Sequence, residues 1–257
     1  MNNSRRRFLK VASLSFAGLS LASVAGGVTK AQAASSEYIH GPNQLTAKRW
    51  AMVIDMTKFE SQEDYDRVIH ACHSVHNVPK INTNQEIKWL WTDSYQATFP
   101  DDSSKHVSTE VLNRKYLMLC NHCENPPCVR ACPTQATFQR EDGIVVMDYH
   151  RCIGCRFCMA GCPYGARSFN FFDPRPYIED INPTFPARMR GVVEKCTFCS
   201  ERLAEGLLPA CVEASNGAIL FGDLDDPESP VRVALSENFS IRRKPSLGTE
   251  PGVYYIV

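Results

Sequence analysis

The chain has 257 residues, 44% of them hydrophobic and 22% charged, with 28 basic side chains against 28 acidic ones. That composition excludes a disordered or low-complexity protein and supplies enough apolar material for one sizeable core or two small ones. With no basic excess there is no argument for a nucleic-acid partner. Twelve cysteines, all but Cys72 lying between Cys120 and Cys211, make cysteine spacing the feature to interpret.

Taken in chain order, Ser4-Arg5-Arg6-Arg7-Phe8-Leu9-Lys10 has the form of a twin-arginine export signal. A mildly apolar stretch, Val11 to Val28, and a small-residue Ala31-Gln32-Ala33 cleavage site follow it. Residues 1–33 therefore read as a twin-arginine signal peptide, and the mature protein as periplasmic. A basic-flanked membrane anchor is the competing reading, but Ser13, Ser15, Gly18, Ser20, Ser23, Gly26 and Gly27 dilute the stretch. Removing it takes away Arg5, Arg6, Arg7, Lys10 and Lys30 and no acids, which leaves a chain about five charges negative. No later segment is apolar enough to span a bilayer, so membrane contact is expected only through partners.

Residues 34–47 read as a linker before the folded part. Residues 80–115 hold Trp89, Trp91, Tyr95 and Phe99 without clear periodicity. They read as a long irregular insert that either binds a partner or covers a site against solvent. Ala136 to Arg140, the turn Glu141-Asp142-Gly143 and Ile144 to Asp148 predict a hairpin. Ser168 to Asp173 and Ala218 to Gly222 predict closing strands, and the segments after Cys158 and Cys199 predict short helices, with Thr197 to Glu205 the clearest. A proline-rich stretch, 173–190, makes a second irregular insert. The tail 227–257 is polar until Gly252-Val253-Tyr254-Tyr255-Ile256-Val257, an apolar strand expected to dock either on this fold or on a partner.

In an oxidising compartment an even cysteine count first suggests disulfides. The spacing argues otherwise. Cys120-x2-Cys123-x4-Cys128-x3-Cys132-Pro133 is followed by Cys152-x2-Cys155-x2-Cys158-x3-Cys162-Pro163, and the second run is the bacterial ferredoxin motif. Cysteines two residues apart wrap the chain around a 4Fe-4S cube, with backbone amides of the same turn facing the sulfurs. The cysteine before the proline serves the neighbouring cube in two-cluster ferredoxins. This assigns Cys120, Cys123, Cys128 and Cys162 to cluster A, and Cys152, Cys155, Cys158 and Cys132 to cluster B. Zinc, which closes at four ligands, does not require two interleaved quartets ending in Cys-Pro. Cys196, Cys199 and Cys211 form a set one ligand short, and Cys72 stands alone upstream.

His70, His73 and His76 recur every three residues around Cys72, a weak hint of a second metal, since that spacing does not bring them to one side of a helix. His122, between Cys120 and Cys123, either lies close to a cube or is a solvent-facing loop residue. No glycine-rich phosphate loop, nucleophile elbow or metalloprotease helix is present, so no catalytic residue is expected. Asp101-Asp102 and Asp225-Asp226 read as solvated turns.

From Trp50-Ala51-Met52-Val53-Ile54-Asp55 to about Asp226, these motifs resemble the four-cluster ferredoxin-like electron-transfer subunits of molybdopterin reductases and membrane quinone modules. The resemblance implies an α+β fold of two pseudo-symmetric bacterial-ferredoxin-like units with long loop insertions. The double domain would span 48–226, an inner unit at about 116–173 being inserted in an outer one that joins 48–79 with 190–226. The family carries four cysteine groups, the first paired with the fourth. Here Phe59 to Ala71 contains no cysteine where three are expected, and Ser215 stands where the last would be. All four departures would belong to one cube. The survivors, Cys72, Cys196, Cys199 and Cys211, are then the full ligand set of its partner, cluster C, and the resemblance implies three 4Fe-4S clusters with no thiol left over. Phe59 and Ser215 are expected to fill the vacated position.

The cube missing here is the one nearest the catalytic subunit in molybdopterin reductases. With Ala71-Cys72-His73, the 80–115 insert and the C-terminal Leu247-Gly248-Thr249-Glu250-Pro251-Gly252-Val253-Tyr254-Tyr255, the pattern is most similar to the DsrO branch, periplasmic subunits of Dsr sulfur-metabolism complexes. That branch implies contact with an integral-membrane quinone-interacting protein of the NrfD/DsrP type and with a periplasmic multihaem cytochrome. Three other roles stay open: the electron-transfer subunit of a tetrathionate, polysulfide or thiosulfate reductase, a metal-stapled scaffold, and a diffusible periplasmic ferredoxin.

Overall fold

Trp50-Ala51-Met52-Val53-Ile54 is an uninterrupted apolar run with every residue buried, as expected of a strand covered on both faces. In the computed structural model, which describes residues 41–257 except 103 and 105, it forms strand β1 (Trp50–Asp55) at the middle of the main sheet. The signal-peptide reading of residues 1–33 falls outside the described residues, as does the first half of the 34–47 linker. Among the described residues no helix is long and apolar enough to cross a membrane.

Helix α1 (Gln62–Val75) starts where Asp64 Oδ2 reaches back to accept the Ser61 N–H at 3.0 Å, half of a capping box. Its buried residues are Tyr65, Val68 and Cys72, one face at helical spacing, so the periodicity that packs α1 also points Cys72 inward. Phe59 stacks on Tyr65 at 4.8 Å.

The 80–115 insert is more ordered than its sequence suggested. Its aromatics sit beside a strand, β2 (Leu90–Asp93), which pairs antiparallel with β3 (Tyr116–Leu119), and two short helices follow, α2 (Tyr95–Thr98) and α3 (Thr109–Asn113). Trp89, Tyr95 and Phe99 are buried in the main core, where Phe99 meets Tyr116 and Tyr255 edge-on. After α4 (Pro127–Arg130) the predicted hairpin is present: β4 (Thr137–Gln139) pairs with β5 (Val145–Met147) across a turn in which Gly143 has φ +82°. Helix α5 (Phe157–Ala160) contains Cys158 where a helix after it was expected, and β6 (Ser168–Phe169), shorter than expected, pairs with β7 (Val193–Glu194). Helices α6 (Ser200–Ala204) and α7 (Ala210–Ala214) flank the last cysteines. Then β8 (Ile219–Asp223), α8 (Pro230–Glu237), β9 (Ser240–Ile241) and β10 (Val253–Ile256) complete the chain.

The C-terminal strand docks on the chain's own fold. The main sheet runs β8-β1-β10-β9, with β1 antiparallel to β8 (Trp50 opposite Asp223) and parallel to β10 (Met52 opposite Val253). Alternation along β1 divides the interior: Trp50, Met52 and Ile54 face the main core, while Ala51 and Val53 face Val231 and Ala234 of α8.

Candidate iron–sulfur centres

The cysteine loops share a backbone device. In each of Cys120-x2-Cys123, Cys152-x2-Cys155 and Cys196-x2-Cys199, the residue before the second cysteine, namely His122, Gly154 and Phe198, has positive φ. Only Gly154 adopts that conformation without steric cost; His122 and Phe198 are held there by their surroundings. Their rings stack at 3.7 Å between the first and third loops, and His122 Nδ1 accepts the Val145 N–H at 3.1 Å. His122 is thus a buried residue beside the cysteines, and the solvent-facing alternative is overturned.

All twelve cysteines are free thiols, and the fold gathers them into neighbourhoods. Cys120, Cys123, Cys128 and Cys162 line one cavity, closed by Val145, Tyr164 and Arg167. Cys158 lies close enough to Cys132 and Cys128 to feel both, and Cys152 packs against the same small core as Cys158. Cys155 is exposed. Cys72 is surrounded by Cys196, Cys211 and Cys199, although at least 124 residues of sequence separate it from them. Nothing in the fold ties Cys155 to Cys152, Cys158 or Cys132, and the division of the twelve cysteines into ligand sets stays an expectation.

Electrostatics bear on what such groups can hold. Burial and then the neighbouring thiols push Cys72 and Cys199 well above the ordinary thiol range, burial raises Cys211 to about 12, and burial with Cys120 raises Cys123 to about 12. Four buried thiols that oppose one another's ionisation gain nothing from proximity unless a cationic centre takes up their charge. Against this, the loops aim backbone N–H groups at sulfur: Phe198 N–H donates to Cys196 Sγ at 3.4 Å. At Cys132 burial is outweighed by the N–H groups of Thr137, Thr134 and Ala136 and by the Thr134 hydroxyl, so its thiol lies below its ordinary value. A set of deprotonated sulfurs ringed by amides fits a 4Fe-4S cube, and the mostly buried, all-sulfur donor set offers no open position for a hydrolytic metal.

The neighbourhoods adjoin. Cys196 feels Cys120, and Cys158 feels Cys128, so the first set adjoins both of the others. Two buried cations lie at these junctions. Lys195 is wholly buried, its Nζ donating to the carbonyls of Val145 and of Cys196, the latter at 2.7 Å. Arg167 lines the cavity of the first set. Sequence reasoning passed over both; a basic residue next to or shortly after a cysteine motif is the signal that would have found them.

The histidine triplet does not converge. His70 is exposed and His73 lies against the Leu90 backbone. His76 Nδ1 lies 2.7 Å from the Cys72 carbonyl and Nε2 2.7 Å from Glu201. His76, Cys199 and Glu201 do bring ligand atoms within 4.8 Å of one another, but Cys199 belongs to the third cysteine set. Of the two residues expected to fill a vacated cluster position, Ser215 Oγ donates to the Val212 carbonyl at 2.7 Å and accepts the Ile219 N–H at 3.0 Å, while Phe59 is buried on Tyr65. Both residues are engaged by protein atoms.

Comparison with known proteins agrees with this chemistry. The family described as a 4Fe-4S dicluster domain matches residues 115–172. The chain is similar to the Hdr-like menaquinol oxidoreductase iron-sulfur subunit 1 of Archaeoglobus fulgidus, 38% identical with 98% of this chain and 97% of that protein covered. It is similar to a tetrathionate reductase subunit of Salmonella typhimurium (36%, covering 100% and 89%). It is also similar to the menaquinone reductase iron-sulfur cluster-binding subunit of Nitratidesulfovibrio vulgaris (37%, covering 81% and 88%). The chain belongs to the four-cluster ferredoxin-like family of 4Fe-4S electron-transfer subunits, and its part in an oxidoreductase complex is to carry electrons, not to transform a substrate.

Proposed function

We propose that the chain holds three 4Fe-4S clusters and conducts electrons between a membrane quinone-interacting protein and a periplasmic redox partner. Cluster A would be held by Cys120, Cys123, Cys128 and Cys162, cluster B by Cys152, Cys155, Cys158 and Cys132, and cluster C by Cys196, Cys199, Cys211 and Cys72. The observation that carries this reading is the convergence of Cys72 with Cys196, Cys199 and Cys211, which accounts for every thiol in the chain. Two ferredoxin-like units, the inner at about 116–173 and the outer from 48–79 and 190–226, remain our reading of the domain plan.

When bound, the clusters supply reversible one-electron chemistry. The chain's residues supply the rest. The buried cysteines of the first and third sets keep water from the sulfurs, backbone amides offset the thiolate charge, and the stacked His122 and Phe198 pack the loops of the two sets together. The second set reaches the surface at Cys155, beside the exposed side chains of Ile153 and Phe157, which suits exchange with a docked protein.

The near full-length relative named for a menaquinol oxidoreductase supports a quinone-coupled membrane partner, which we read as the NrfD/DsrP type in a Dsr-type sulfur-metabolism complex, with a multihaem cytochrome as the other partner. Export by the twin-arginine route to the periplasm, where the chain would sit peripherally on the cytoplasmic membrane, belongs to the same proposal. The second reading, a component of a tetrathionate, polysulfide or thiosulfate reductase, is favoured by the likeness to the relative named for tetrathionate reductase. Anaerobic iron and acid-labile sulfide analysis with EPR of the reduced protein tests the cofactor count: about twelve of each per chain is expected, and about eight would remove Cys72 from the ligands. Copurification of a multihaem cytochrome is expected; a molybdopterin subunit in its place would select the second reading.

A further inference from the structure

Arg167 is 5% exposed and stands five residues after Cys162, on the wall of the cavity bounded by Cys120, Cys123, Cys128 and Cys162. Of its three guanidinium nitrogens, Nη1 donates to Thr137 Oγ1 at 3.0 Å and meets Met147 Sδ at 3.1 Å. Nε and Nη2 are buried without an oxygen or nitrogen partner among the described residues, and the guanidinium's other neighbours are the Cys128 and Cys158 thiols, both near enough to accept a hydrogen bond from it. The acidic groups it faces are thiols, Cys128 and Cys120 of the first set and Cys158 of the second.

A guanidinium remains charged in any protein environment, and a buried charge with unmatched donors is a heavy penalty unless an anion meets it. No carboxylate among the described residues meets Nε or Nη2. The sulfurs of a bound cluster would, and Arg167 lies between two such groups. Resting on the three-cluster reading above, we propose that Arg167 is a shared potential-setting residue, donating charge-assisted hydrogen bonds to sulfur of cluster A through Cys128 and of cluster B through Cys158. Positive charge and N–H donation stabilise the more negative, reduced state, so both potentials are held above the values the bare cysteine cages would give. The thiols that act on Arg167 are Cys128, Cys158 and Cys120, none of them from the third set, so cluster C is expected not to respond.

The test is an anaerobic EPR-monitored redox titration of the full-length loaded protein, with iron analysis of the same samples, for wild type, Arg167→Met and Arg167→Lys. With iron unchanged, two of the three midpoint potentials are expected to fall in Arg167→Met and the third to stay. Arg167→Lys, which keeps the charge and loses the planar fork, should fall by less. Unmoved potentials in loaded Arg167→Met, or a uniform shift of all three, would overturn the proposal. If a variant loads less iron, loss of the A and B signals with C retained supports it, and any other pattern of loss overturns it. A wild type that carries fewer than two clusters would instead sink the cofactor reading, independently of the variants.

Discussion

Arg188 and Glu194 form an ion pair, Nη2 to Oε2 at 2.6 Å, with both side chains completely inaccessible to solvent. Glu194 also accepts the Trp89 indole N–H at 2.7 Å and an Asn170 amide N–H, and Arg188 donates to the carbonyls of His76 and of Asn77, the latter at 2.7 Å. The pair therefore ties the end of α1, which carries Cys72, to β7, which runs directly into Lys195 and Cys196. With the His76–Glu201 contact, it is one of the links between the two halves of the third cysteine set.

Breaking a buried pair from one side leaves the other charge uncompensated, at about 3–5 kcal/mol. Arg188→Met is accordingly expected to lower the anaerobic denaturation midpoint strongly and to release the iron of the Cys72 set before the rest. Arg188→Met with Glu194→Leu should recover part of the loss, because neither charge is then stranded. A single variant as stable as wild type, by denaturant titration followed by absorbance of the bound iron, would mean that the pair holds nothing.

Gly154 sits in the second cysteine loop with φ +69°, and a Cβ there would lie 2.4 Å from the Gly191 carbonyl oxygen and 3.1 Å from the Phe169 ring. The first contact is with backbone and cannot yield by a rotamer change. Gly154→Ala adds about 1 kcal/mol of left-handed strain to that clash and should push Cys152 and Cys155 away from Cys158. The expected readout is loss of one cluster's worth of iron, with the other two EPR signals retained; full iron content would show that the loop gives way.

The parallel pairing of β1 with β10 makes the C-terminus part of the core. Val253 and Tyr255 are fully buried, Ile256 is nearly so, and Tyr255 Oη donates to the Leu117 carbonyl at 2.9 Å. At about 1.5–3 kcal/mol for each buried side chain, deleting residues 252–257 removes about 5–9 kcal/mol, comparable to the whole stability of an ordinary domain. The truncated chain is expected to be insoluble, whereas Tyr255→Phe, losing one hydrogen bond, should fold with a loss of about 1 kcal/mol. Soluble, iron-loaded truncated protein would contradict the role assigned to β10.

What could be read in advance was local. The cysteine loops, the β4–β5 hairpin and the helix after Cys199 are each determined by a few consecutive residues, because ligand geometry and turns act over short spans. The ordered 80–115 segment was not legible: Leu90–Asp93 has no strand periodicity, and becomes a strand because Tyr116–Leu119 lies beside it. Nor could the partner of Val253–Ile256 be chosen, since a parallel pairing across two hundred residues leaves no trace in either strand. Arg167, Lys195 and Glu194 escaped for a further reason: a charged residue is normally at the surface, and only the fold reveals that these are buried against sulfur, carbonyls and arginine.

Asp223 ends β8 opposite Trp50, its carboxylate accepting the N–H groups of Lys48 at 2.8 Å, Arg49 at 3.0 Å and Asp225 at 3.0 Å. Burial works against ionisation, but the three N–H groups and the Lys48 charge outweigh it and hold the carboxyl below its ordinary 3.8. A carboxyl depressed in the folded state contributes stability that is complete above its unfolded value and disappears as pH falls through its folded value. Asp223→Asn should therefore be less stable than wild type by about 1 kcal/mol, and the gap should be flat from pH 8 to pH 5 and narrow only below about 4. Denaturation midpoints of the two proteins across that range check it. A gap that already changes between pH 8 and pH 5 would assign the effect to some other group, because no carboxylate with this shift titrates there.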